Sequence, residues 1–350
     1  MRAFALLMLA TACRITGTFE CGIDDACRRG DDLGMCEVEG YCSFGDDECP
    51  SGRRYADNAG DGLADQCVAD TAEPLTCLDR WRMNVAHFAA VSDVGVSSPM
   101  DDRDPWISPP GTVLLFSSTR TGGAGADIYT ASRPDTTAAF GTPAAVAALN
   151  SSSSESRVSI SSDGLTIYMN SNRMGTRGGM DIWRATRTTP TGTFSTPDQA
   201  TVESVNTGDD EHDVQLSADG LRLYFALGRT GMPQRIATAS RATTADPFGA
   251  ASTIVELDAG SGDADPAVSA DELLMVFTSL RTAELAGSNL WYTTRARVTE
   301  KWLPPRLVPD INIDGDEGDA FLTPDGCTLL FSRRPSETAP YDLVYATMIQ

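Results

Sequence analysis

Between residues 88 and 350 the chain writes one unit five times, at a period close to 54 residues. A turn residue anchors each copy: Gly111, Gly164, Gly220, Glu272 and Gly326, separated by 53, 56, 52 and 54 residues. A β-rich run follows each anchor ("TVLLFSS", "LTIYMNS", "LRLYFAL", "LLMVFTS", "CTLLFSR"). A second begins 15 to 17 residues past it ("DIYTASR", "DIWRATR", "RIATASR", "NLWYTTR", "DLVYATM"). A third precedes it ("PWIS", "VSIS", "VQLS", "AVSA", "AFLT"), and a fourth opens on Phe88, Phe140, Phe194, Phe248 or Trp302. Leu221, Leu223 and Phe225 alternate with Arg222 and Tyr224, which puts one set on a single face of a strand.

Four short strands per unit at this period signal sheets that bury their faces only by stacking on neighbours around an axis. Asp-Gly supplies the hairpin turn because both residues tolerate positive φ. A sandwich would not repeat, and a solenoid coil would be shorter. The expected fold is all-β, a five-bladed β-propeller of four-stranded antiparallel blades over residues 78–350. The fifth unit stops after three strands while the strand near Phe88 is left over, so pairing the two closes the ring and removes exposed edges. A sixth, degenerate blade around "LDRWRMNVAH" (79–88) is the alternative.

The strings "SSDG", "SADG" and "TPDG", then a strand, "SNR" or "STR", a Gly-rich loop and "DIY" or "DIW", resemble the PD40 (WD40-like, TolB-type) repeat. That resemblance implies an envelope-associated binding platform. The N-terminus, "MRAFALLMLATAC", has one basic residue and an apolar run too short to span a bilayer, and reads as a signal peptide over residues 1–12. Leu9-Ala10-Thr11-Ala12-Cys13 resembles the bacterial lipobox, which implies lipidation of Cys13, a linker over 13–20, and an exported outer-membrane, periplasmic or cell-surface location with membrane contact by the lipid anchor alone.

Residues 21–77 form a Cys-rich module. Cys21, Cys27, Cys36, Cys42, Cys49 and Cys67 lie close together, with Cys77 and Cys327 beyond, an even set in an exported segment too small for its own core. Disulfides are expected, because no CxxC pair or nearby His supports zinc. The first six alone allow 15 pairings, and spacing does not choose among them. "DNAGDGLADQC" resembles a thrombospondin type 3 calcium loop, which implies Asp57, Asp61 and Asp65 as calcium ligands, with Ala59 where another is expected. Apart from that calcium, no cofactor is expected.

With 49 acidic against 27 basic residues and a net charge of −22, nucleic acid is an unsuitable partner. Nine residues before each anchor stands an acid: Asp102, Glu155, Glu211, Asp263 and Glu317. Seven before stand Asp104, Arg157, Asp213, Asp265 and Asp319. Quasi-symmetry should gather these acids at one mouth of the channel, paired with arginines such as Arg120, Arg173, Arg229 and Arg281, or binding a cation or basic peptide. No GxSxG, HExxH or P-loop occurs, and His87 and His212 are the two histidines. The expected function is a non-enzymatic scaffold docking a protein, peptide or glycan; Trp106, Phe321 and Trp183 are candidate aromatic anchors, though burial between blades is the expected fate of each. The alternative is a glycoside-active enzyme using channel carboxylates.

Overall fold

The computed structural model describes residues 20–22, 26–30, 32–37, 39–49, 51–68, 75–122, 125–229, 231–281 and 285–349. The segment expected as a signal peptide and Cys13 lie outside them. The chain divides into two compact units, one ending at Leu75 and the other beginning at Thr76. In the first, Met35–Cys36, Cys42–Gly45 and Arg53–Tyr55 form an antiparallel sheet around a small core of Cys27, Cys42 and Phe44. Disulfides 21–36, 27–42 and 49–67 staple it. Cys77, counted with this module from its position in sequence, belongs to the second unit and bonds Cys327, 250 residues away. Multiple disulfides suit an extracytoplasmic protein.

Among the described residues, the second unit holds five antiparallel sheets. Their inner strands are Asp102–Ile107, Glu155–Ile160, Asp210–Leu216, Asp263–Val268 and Asp316–Leu322. Each inner strand touches the next, and the last touches the first, which makes the ring. Apolar residues of facing sheets fill the gaps, as where Tyr168 and Ile182 meet Leu223 and Phe225, all fully or nearly fully buried. The segment 79–88, the alternative site of a degenerate sixth blade, instead holds most of a short helix, Cys77–Arg82, capped by Thr76 and Asp79.

The turn at each anchor is built as its sequence demands. In four sheets the anchor glycine sits at φ between +71° and +73°, where a side chain is strained. Glu272 takes the same left-handed position at φ +56°, and its carboxylate is tied at 2.6 Å both to Arg222 and to the Tyr224 hydroxyl. Those bonds offset a backbone cost of order 1–3 kcal/mol.

The residue 21 to 23 positions past the anchor is Arg133, Arg187, Arg241 or Arg295 in the first four sheets. Each donates Nε–H to the anchor carbonyl, at 2.7, 2.7, 2.7 and 2.8 Å. Each also lies 4.0–4.4 Å from the ring of the periodic aromatic, Phe140, Phe194, Phe248 or Trp302. One arginine thus pins the hairpin turn to the segment entering the outer strand. The fifth sheet has Met348 at this place, and the donor comes from the helix: Trp81 Nε1–H bonds the Gly326 carbonyl at 2.9 Å, with Phe88 beside its ring at 5.3 Å. Ser92–Asp93 supplies the outer strand by pairing with Asp342–Thr347, so the leftover N-terminal segment closes the ring as expected.

Candidate functional site

The two acidic rings anticipated at the channel mouth have different fates. The five acids nine residues before the anchors are fully buried and tie down the backbone. Each accepts the N–H of the residue four earlier, from Ser98, Ser151, Thr207, Ala259 and Ile313. Arg120, Arg173 and Arg281 pair with Asp102, Glu155 and Asp263 at 2.7, 3.1 and 2.6 Å, and Arg333 pairs with Glu317 at 2.9 Å. Arg229 does not join them; it lies 3.7 Å from Asp209, and Glu211 has no arginine partner among the described residues. Burial raises Glu211 to about 7, and Thr207 is its hydrogen-bond donor. Burial likewise raises Glu317 to about 7 against the opposing charge of Arg333. These acids join strands to loops; they do not form a mouth.

The ring seven residues before the anchors occupies the axis. Asp104, Arg157, Asp213, Asp265 and Asp319 all have positive φ, from +38° to +58°. At each one the register with the neighbouring strand shifts, between Arg103 and Trp106, Ser156 and Val158, His212 and Gln215, Ala264 and Ala267, and Gly318 and Phe321. A β-bulge therefore recurs at five equivalent places and re-aims one charged residue per sheet. Five strained non-glycine residues at one level of a ring mark the site that the fold sustains against its own backbone preference.

The bulged backbone N–H groups are used within the ring. Asp319 donates to the Asp265 carboxylate at 3.0 Å and Asp265 to that of Asp213 at 3.4 Å. Asp104 accepts the Ser117 hydroxyl at 2.5 Å. Asp319 takes the Ser332 hydroxyl and the guanidinium of Arg103, whose Nε lies 2.7 Å away. Arg157 crosses the ring to donate Nη2–H to the carbonyls of Ala320 at 2.9 Å and Pro266 at 3.3 Å.

Although the four aspartates are equivalent by repeat, they titrate far apart. Burial, then the neighbouring Asp319 charge, raises Asp104 to about 7. Burial and the Asp104 charge raise Asp213 to about 6. Burial with Asp213 and Asp319 holds Asp265 well above the carboxylate range. Burial would raise Asp319 as well, but the Arg103 charge and its hydrogen bonds outweigh it and hold the group at about 2. Four carboxylates face two guanidiniums, and burying a surplus of charge is costly, so the excess acids keep their protons. The asymmetry comes from two residues, Arg103 and Arg157, that the other copies do not carry at the same places.

Above this ring opens a cavity of about 680 Å³, lined by Arg103, Asp104, Asp213, Asp265 and Asp319 together with His212. His212 is half-buried 3.8 Å from Asp210, and burial lowers its pKa. His87 lies elsewhere, exposed beside Asp310 at 2.9 Å. Asp57, Asp61 and Asp65 do not converge: Asp61 accepts the Tyr41 hydroxyl, and the sole convergent trio of metal-ligand side chains among the described residues, Cys21, Cys27 and Cys42, is spent in disulfides. Trp183 is buried under Arg173, while Trp106 and Phe321 meet edge to face at 6.3 Å. The sequence marked the ring by its periodicity. Periodicity does not mark Arg103, although a signal is present: the residue eight before the anchor is Arg, Ser, His, Ala and Gly in turn.

No protein-family profile matches the chain, and no curated protein does. Solved structures do match. TolB from Acinetobacter baumannii is 14% identical, with 73% of this chain and 56% of TolB covered and a TM-score of 0.44, so the chain spans about half the length of that protein. Endo-arabinase from Bacteroides thetaiotaomicron is 14% identical over 73% of this chain and 98% of the enzyme, with a TM-score of 0.50. The α-L-arabinofuranosidase from Lactobacillus brevis is 13% identical over 73% and 93%, with a TM-score of 0.49. The expectation of a chain that is not an enzyme is corrected here. It rested on absent motifs and on treating recurrent acids as architectural. Glycoside hydrolases are built on this fold, and the recurrent acids at the axis are chemically inequivalent. The chain has the β-propeller fold, on which the endo-arabinase is also built.

Proposed function

We propose that the axial pocket binds a glycan and hydrolyses a glycosidic bond, in an exported protein anchored through a lipid on Cys13 and built from PD40-like repeats. The observation that carries the hydrolytic reading is the convergence of four carboxyl groups on one open cavity, where Arg103 pairs with Asp319 alone while burial raises Asp104 to about 7. Glycoside hydrolysis asks for one acid that still holds its proton and one carboxylate that has lost it, set apart by their surroundings. Asp104, at about 7, is the general acid that protonates the leaving oxygen. Asp213, at about 6, is the base or nucleophile once ionised. Asp319, fixed by Arg103 and Ser332, keeps its charge and thereby keeps the proton on Asp104. A cavity of about 680 Å³ lies within the range of small-ligand sites. Serine, threonine and carboxylate groups on its wall match sugar hydroxyls.

The test is release of 4-nitrophenol from a panel of aryl glycosides, arabinofuranosides first because the endo-arabinase shares this fold. The expected kcat/KM rises as Asp213 ionises near pH 6 and falls as Asp104 loses its proton near pH 7. Asp104→Asn lowers it by about 10²-fold or more. Absence of turnover across the panel, together with no calorimetric binding of the matching oligosaccharides, refutes the reading.

A further inference from the structure

The far ends of the inner strands enclose a second cavity, of about 600 Å³, on the other side of Arg157 from the acidic pocket. Its wall is of a different kind. Ile160, Leu216 and Val268 face it from three sheets, and Trp106 and Phe321 stand edge to face across two others. Most polar groups along the wall are already engaged. Gln215 exchanges two hydrogen bonds with the Val268 backbone, at 2.7 and 3.2 Å. Ser159 accepts the Leu216 N–H at 2.9 Å, and Asp163 accepts from Ser161 and Leu165 within its own turn.

Arg157 is the exception. Only 4% of it is exposed, and Nη2 makes two bonds to carbonyls. Nη1 is buried and finds no acceptor among the described residues. The charge itself faces the axial aspartates, but the Nη1 donor is left without an acceptor, and a buried donor on a charged group costs more to orphan than one on a neutral group. Arg187 adds a second positive charge to the wall, against the single acid Asp163. An acceptor bound at Nη1 would satisfy the guanidinium, and an anionic acceptor would gain most.

We propose that this cavity is a second ligand site, taking a compact amphiphile whose carboxylate meets Arg157 and whose apolar body lies on Trp106, Phe321 and the aliphatic wall. The aromatic pair supplies a flat apolar surface, and the three aliphatic residues complete a sleeve leading to the donor. The ligand differs in class from a glycan, so this site stands or falls separately from the hydrolytic reading.

The experiment is calorimetric titration of the full chain with decanoate and decyltrimethylammonium below their micelle concentrations and decanol below its solubility limit. Decanoate is expected to bind saturably at one site, decanol about tenfold or more weakly, and the cation not at all. Arg157→Gln should bring decanoate down to the level of decanol. Trp106→Ala should weaken decanoate and decanol alike. If Arg157→Gln fails to fold, Ile160→Asp, at a half-buried wall position, should abolish decanoate binding while the circular dichroism stays unchanged. Absence of saturable binding by decanoate, equal binding of all three probes, or decanoate affinity indifferent to both wall substitutions overturns the proposal.

Discussion

Trp81 offers the sharpest test of how the ring is held shut. The fifth sheet has Met348 where four others place an arginine, and the indole N–H of Trp81 takes over the anchor carbonyl of Gly326 at 2.9 Å. The ring is wholly buried, tilted on Phe88 and edge-on to Tyr292 at 4.9 Å. Trp81→Phe keeps most of the apolar contact but orphans a buried carbonyl, which costs about 1–3 kcal/mol. Trp81→Ala adds a cavity, for a total of about 4–8 kcal/mol from roughly 3–5 for truncation plus the orphaned carbonyl. The Cys77–Cys327 bridge closes a loop of 250 residues around the same helix and contributes about 5 kcal/mol by restricting the unfolded chain. Urea denaturation followed by circular dichroism, with the bridge oxidised, should show Trp81→Ala shifting the midpoint strongly and Trp81→Phe to a lesser degree. Arg187→Met, which removes the equivalent donor of the second sheet, should fall in the range of Trp81→Phe, because both leave a turn carbonyl unpaired. The reasoning fails if Trp81→Ala leaves stability within about 0.5 kcal/mol of the parent, since that is the scale of an ordinary surface change.

Stability should also depend on pH through the axial ring. Asp104 and Asp213 bind protons more tightly in the folded state, so their contribution is present at acidic pH and is lost as pH rises from about 4 toward 6 and 7. Asp319 runs the other way: its contribution is present above about 4 and is lost as pH falls toward 2. The melting temperature is therefore expected to peak near pH 4 and to fall between about pH 4 and 7, and Asp104→Asn should flatten that fall; a curve still rising between pH 5 and 7 contradicts this. The buried outer acids give a contrast. Asp263→Ala strands Arg281 and is expected to cost about 3–5 kcal/mol in a urea titration. Glu211→Gln, which has no arginine to strand, should cost about 1 kcal/mol or less; equal losses would show that the arginine pairing is not what distinguishes the sheets.

Much of the frame was legible. The anchors Gly111, Gly164, Gly220 and Gly326 sit in the left-handed turns that their Asp-Gly or Pro-Gly context announces. The leftover segment after Phe88 does complete the last sheet. Two things were not legible. One was which acids face the axis: positions nine and seven before the anchor lie on one face of a regular strand, and only the bulge at the second of them separates their fates. The other was the chemical difference among Asp104, Asp213, Asp265 and Asp319. Recurrence argued that such residues are architectural, yet a guanidinium from Arg103 reaches Asp319 alone, across 216 positions of sequence.

The repeat by itself determined that the chain must build antiparallel sheets and stack them, since the alternation of apolar residues and the turn chemistry are local properties with local consequences. Tertiary structure alone decided which charges lose their protons, where Trp81 substitutes for an arginine, and which ring lines the cavity. Each of these turns on the field or the donor that a group meets from a remote stretch of chain, and burial amplifies that encounter by removing the water that would otherwise level it.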